Sequence, residues 1–171
     1  MSTAERQRTE TDGDAVAAHC PRMVFAERAP EVYRALVRLD AAAQRGVEPG
    51  LRHLVKVRVS QLNGCAFCVD MHSKDALACG ESVERLMQLT VWPESRHFYT
   101  ERETAAFALA EAMTRLPDGG VPDDVYERAA SLFTEDELAQ LISVVTVINA
   151  WNRIGVTTRM VAGHYQAGGS G

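Results

Sequence analysis

The chain predicts an all-α fold, and three observations lead there. Apolar residues recur at helical spacing in segment after segment. Glycine and proline cluster between those segments. Two Thr-x-x-Glu signatures each open a long helix-forming run.

Residues 1–18 are charged and lack periodicity, and read as a disordered tail. Residues 19–167 read as one helical domain and 168–171 as a flexible end. Pro30 to Gln44 places Val32, Leu36 and Leu39 on one helical face, and Gly46, Pro49 and Gly50 stop it. The next stretch, "LVKVRVSQL", alternates Val55, Val57 and Val59 with Lys56 and Arg58, the period of a half-buried strand. No second strand stands out to pair with it. A helix using Leu51, Leu54, Val55, Val59 and Leu62, with Val57 off the face, is the better reading.

Asn63 and Gly64 end that helix, and Cys65 to Cys79 resumes helical spacing. "TERETAAFALAEAMTRL" opens with Thr100 and Glu103 in capping-box spacing and closes at Pro117-Asp118-Gly119-Gly120. Pro122 starts a short helix through Val125, Tyr126 and Leu132. The last helix opens at Thr134 and Glu137, is apolar almost all round after Leu138, and ends at Gly155.

The 171 residues suffice for one buried core, with 46% hydrophobic and 24% charged residues as in ordinary globular chains. A net charge of −5 without a basic cluster argues against nucleic acid. The N-terminus has no apolar signal-like region, and "LISVVTVINAW" is too short and too polar to span a membrane. A cytoplasmic location is the expectation. Thiols stay reduced there, so close cysteines point to catalysis or metal rather than a structural disulfide.

"NGCAFCVDMHSKDA" holds such a pair. At about 100° per residue, Cys65, Cys68 and His72 fall within about 60° of one another, with Cys65 at the helix start. A free cysteine has a pKa of about 8.5, and one unit is about 1.4 kcal/mol. A helix N-terminus supplies only about 0.3–1 kcal/mol, so a nearby imidazole must do the rest. His72, one turn beyond Cys68, is placed to do it. Packing of small side chains and a zinc clip stay open as alternatives, although a second ligand knuckle is missing. Cys79 lies about 16 Å along the helix from Cys68 and is assigned to packing. Cys20 receives no role.

"LVKVRVSQLNGCAFCVDMHSKDA" resembles the core motif of the alkylhydroperoxidase AhpD / carboxymuconolactone decarboxylase-like family, and "INAWNRIG" is similar to a second run of that family. The resemblance spans roughly residues 25–165. It implies an AhpD-like helical bundle, a homo-oligomer (trimer or hexamer) and thiol peroxidase chemistry without metal or cofactor. By position, Cys68 matches the peroxidatic cysteine, Cys65 its partner thiol and His72 the relay histidine. The family glutamate that begins the relay is replaced here by His53, and Phe67 stands where the best-known peroxidase has a histidine.

The implied reaction is reduction of a hydroperoxide through a dithiol–disulfide cycle, with an external dithiol as reductant. Lipoyl groups fill that role in the best-known branch. A non-enzymatic redox-responsive or metal-holding oligomer and a decarboxylase-like enzyme are the alternatives. If His53 replaces the glutamate, thiol reactivity is expected to follow a histidine titration near pH 6–7, about where an unperturbed imidazole ionises.

Overall fold

The computed structural model describes residues 20–116 and 118–168. The expected tail over 1–18 and most of the expected flexible end lie outside them. Eight α-helices in order form the described chain: α1 (Phe25–Arg28), α2 (Pro30–Ala43), α3 (Pro49–Leu62), α4 (Ala66–Ala78), α5 (Val83–Gln88), α6 (Glu101–Arg115), α7 (Asp123–Ala130) and α8 (Glu135–Thr158). No strand occurs among the described residues, so the all-α expectation holds.

The helix starts follow from residue identity. Thr100 and Thr134 each form the reciprocal capping box with the glutamate three residues on. Pro49 opens α3 rather than only stopping α2, and the carboxylate of Glu48 accepts from the backbone N–H groups of Gly50 and Leu51, 2.9 Å each. Gly64 has φ 65°, and this left-handed turn separates α3 from α4.

α3 and α8 form the centre. α3 packs on α4, α6 and α8, and α8 on α2. From Leu51 to Ser60 every α3 residue except Arg52 is buried, including Val57, which was expected off the face. Lys56 and Arg58 belong to that buried wall because they meet carboxylates: Lys56 to Asp40 at 2.8 Å and Arg58 to Glu111 at 2.7 Å.

Four further expectations need correction: first, α7 ends at Ala130, short of Leu132. α2 turns Tyr33, Leu36 and Asp40 inward, whereas Val32 and Leu39 are 57% and 51% exposed. The inward face is rotated by about one residue because it must include Asp40, the partner of buried Lys56. α8 runs one turn past Gly155 to Thr158. Cys79 is exposed, since α4 ends at Ala78 and leaves Cys79 at its C-cap, away from the core.

Beyond α8 the chain crosses α4 and is tied to it. Lys74 donates to the Tyr165 carbonyl at 2.9 Å, and the Gly163 N–H donates to Asp70 at 3.0 Å. No helix among the described residues is long and apolar enough to cross a membrane.

Candidate functional site

The α3–α4 turn places Cys65 at the N-cap of α4 and Cys68 in its first turn, both buried and both free thiols. Glycine at 155 makes room for them. A Cβ there would lie 2.8 Å from Sγ of Cys65 and 3.9 Å from Sγ of Cys68, so α8 passes the dithiol at a distance only glycine permits. This residue of "INAWNRIG" serves close approach rather than helix termination.

The two sulfurs are not equivalent. Cys65 accepts a hydrogen bond from the Cys68 thiol. Against the opposing cost of burial, it also gains the Cys68 backbone N–H, the Asn152 side chain and the Phe67 N–H. Together these pull its pKa down to about 6. The Cys68 thiol is pushed up by donating that bond, then by burial and by the charge on Cys65. Cys65 is therefore the more acidic of the two thiols.

Asn152 holds the dithiol from the α8 side. It is fully buried. Its amide donates to Ser60 Oγ at 3.0 Å, and its Oδ1 accepts from Asn63 Nδ2 at 2.9 Å. An amide carries two N–H donors, so one remains for the sulfurs beside it.

His72 is 5% exposed, one turn behind Cys68, as the spacing predicts. His53 is also buried, at 8%, on the facing side of α3. Ring nitrogens of both and a carboxylate oxygen of Asp75 all lie within 4.8 Å of one another. Asp75 Oδ2 is 3.6 Å from His72 Nδ1, and Asp75 Oδ1 accepts from the Tyr165 hydroxyl at 2.6 Å.

Sequence reasoning missed Asp75. It supplies the negative charge that position 53 lacks, from the same helix as the histidine it faces. Its i,i+3 spacing to His72 was the available signal.

Burial followed by the charge of Arg52 lowers His53 to about 4, against the opposing pull of Asp75. The expected titration near pH 6–7 is thereby displaced. Burial also lowers His72, opposed by Asp75, so both imidazoles are neutral at neutral pH. Burial works to raise the Asp75 carboxyl, but His72 and the Tyr165 hydroxyl outweigh it and hold it below its ordinary value.

A cavity of about 200 Å³ reaches Cys68 and His72, walled by Tyr33, Val37, Phe67, Met71, Trp151 and Met160, with Asp40 at its edge. The rings of Tyr33 and Trp151 meet edge-to-face with centroids 5.4 Å apart. Cys65 lines a second cavity, of about 230 Å³, with Gly64, Gly155, Val156 and Arg159. Phe67 and Met160 border both. The two sulfurs thus line different cavities.

The carboxymuconolactone decarboxylase family model matches residues 30–112. The uncharacterized protein YdfG of Bacillus subtilis is 38% identical over 136 residues, 79% of this chain and 92% of its own. A solved structure of an Agrobacterium tumefaciens protein of unknown function, provisionally assigned to antioxidant defence as AhpD, superposes with TM-score 0.81 at 36% identity, covering 85% of this chain and 100% of that one. An uncharacterized peroxidase-related protein of Ralstonia eutropha, described as an alkylhydroperoxidase AhpD core, superposes with TM-score 0.71 at 19% identity, covering 86% and 80%.

Proposed function

We propose, from the premise that this chain belongs to the AhpD / carboxymuconolactone decarboxylase-like family, that it is a thiol-dependent peroxidase for organic hydroperoxides. The observation that carries the reading is the buried pair of free thiols at the start of α4, with the imidazole of His72 a turn beyond Cys68 and a cavity that reaches both.

The hydroperoxide enters the apolar cavity to Cys68. The Cys68 sulfur attacks the terminal peroxide oxygen while its proton passes to His72. Proton loss as the S–O bond forms keeps two full thiolates from coexisting. Asp75 stabilises the imidazolium that results. The O–O bond breaks, Cys68 becomes a sulfenic acid, and the leaving alkoxide takes the proton from His72 to depart as alcohol.

Cys65, already ionised, attacks the Cys68 sulfur. A disulfide forms, and hydroxide leaves as water after taking a proton from solvent. An external dithiol, such as a dihydrolipoyl group, then returns both sulfurs to thiols and becomes the disulfide. Its approach is through the second cavity, at Cys65. The aromatic and thioether walls favour an alkyl or aryl hydroperoxide over hydrogen peroxide. His53 is a buried neutral neighbour of the relay that shields Asp75 and His72.

The test is mass and free-thiol count before and after one equivalent of cumene hydroperoxide. Loss of two hydrogens and two thiols within one chain is expected. In Cys65→Ser a sulfenic acid trapped by dimedone is expected at Cys68. Unreactive thiols, or a dimedone adduct on Cys65 in Cys68→Ser, would overturn the assignment.

The assembly is a homo-oligomer in this reading. Val32 and Leu39 on α2 and Val83 and Met87 on α5 are exposed apolar side chains that an interface would cover. Equilibrium sedimentation at micromolar concentration checks it; a monomer would remove it.

A further inference from the structure

We infer that His53, His72 and Asp75 form a binding site for a divalent transition-metal ion of the zinc class. Two imidazoles and one carboxylate converge from facing helices, with one ligand atom of each within 4.8 Å of the others. This donor set suits such an ion and leaves positions open for water. It suits magnesium or calcium poorly, since those prefer oxygen ligands.

A second observation points to the same place. The Nδ1 atoms of His53 and His72 are both buried without a hydrogen-bond partner, although buried polar nitrogens are ordinarily paired. The gap between His72 Nδ1 and Asp75 Oδ2, 3.6 Å, is too long for a hydrogen bond. It is about the separation of two atoms bonded to one cation at roughly 2.0–2.2 Å each.

Asp75 is prepared for the role. Tyr165 holds Oδ1 at 2.6 Å, which orients the carboxylate and leaves Oδ2 to the cluster. Lys56 is the buried cation nearby, and its ammonium is engaged by Asp40 at 2.8 Å. The set is distinct from a cysteine clip, since no sulfur takes part.

On the dithiol reading above, occupancy would switch the base off. With Nδ1 of His72 on a cation, the proton sits on the other nitrogen, and no lone pair remains to accept one from Cys68. Metal and peroxide chemistry would then exclude each other.

The experiment is a titration of the reduced full-length protein with Co²⁺ in the absence of oxygen, followed by absorption, and with Zn²⁺ by calorimetry. Neither uses peroxide, so failure of the peroxidase reading leaves the result interpretable. The expected result is one ion per chain, ligand-field bands, and no intense sulfur-to-cobalt charge-transfer band. Binding should survive in Cys65→Ser/Cys68→Ser and weaken at least tenfold in Asp75→Asn and in His53→Gln. Circular dichroism checks that each variant folds, and the wild-type spectrum alone decides should they not. Absence of uptake, a sulfur charge-transfer band, or affinity unchanged in both folded variants would overturn the site.

Discussion

The Cα of Gly155 faces Sγ of Cys65 so closely that a methyl group there would sit 2.8 Å from the sulfur. Gly155→Ala sets two effects against each other. Replacing a glycine within a helix favours the fold by up to about 1 kcal/mol. Overpacking the buried dithiol costs about 1–3 kcal/mol. A net loss of stability is expected, with Cys65 displaced from its backbone donors and its alkylation midpoint raised. Calorimetry and the pH dependence of iodoacetamide labelling check both.

Cys65 is expected to be the first thiol alkylated in the reduced protein, with a midpoint near its lowered pKa of about 6. Reactivity rises as pH increases through that value. Cys68→Ala removes the largest contribution, the bond from the Cys68 thiol, and should move the midpoint upward by about one unit or more. Mass mapping of the labelled residue reads out both.

His53 gives a stability signature. Its folded pKa, about 4, lies below the ordinary value of 6.5, so between those values the unfolded chain binds the extra proton. The contribution is fully present above pH 6.5 and is lost as pH falls toward 4. His53→Leu should flatten this part of a melting-temperature profile. It should leave the pH profile of thiol alkylation in place, because the inflection near pH 6 comes from Cys65 and not from this histidine.

Asp75→Asn keeps the shape beside His72 but removes the charge. Peroxide consumption should fall by about 10- to 100-fold, the low end of general-base effects. Cys65 alkylation should change far less, since its thiolate rests on bonds from the other side of the site. Stopped-flow measurement of both rates on one preparation separates them.

Asn152→Ala is expected to destabilise the chain by about 1–3 kcal/mol, because it leaves the fully buried Ser60 hydroxyl without the amide that donates to it. It should also raise the alkylation midpoint of Cys65. Denaturant melts together with labelling measure the pair of effects.

Helix starts were legible because capping is written in adjacent residues, as at Thr100 with Glu103 and Thr134 with Glu137. Burial on α3 was not. Lys56 and Arg58 look like a solvent face until their partners, 16 and 53 residues away, fold against them. That pairing also explains the false strand period of "LVKVRVSQL". Cys65, Cys68 and His72 were legible because one helix carries them. Asp75 shares that helix, but its orientation depends on Tyr165, 90 residues further on. Gly155 shows the same limit: a glycine near a helix end is read as a stop unless the atom opposite it is known.

Cys68 and Cys65 line different cavities, with Phe67 and Met160 as shared walls, and this arrangement carries a kinetic consequence for the proposed cycle. Oxidant and reductant do not compete for one entrance, so high peroxide need not block turnover by crowding out the dithiol. The two half-reactions become separately adjustable: walls such as Val37 and Met71 govern the oxidative rate constant, while Val156 and Arg159 govern the reductive one. Double-reciprocal plots would run parallel, and a lesion on one side would move one family of intercepts while sparing the other.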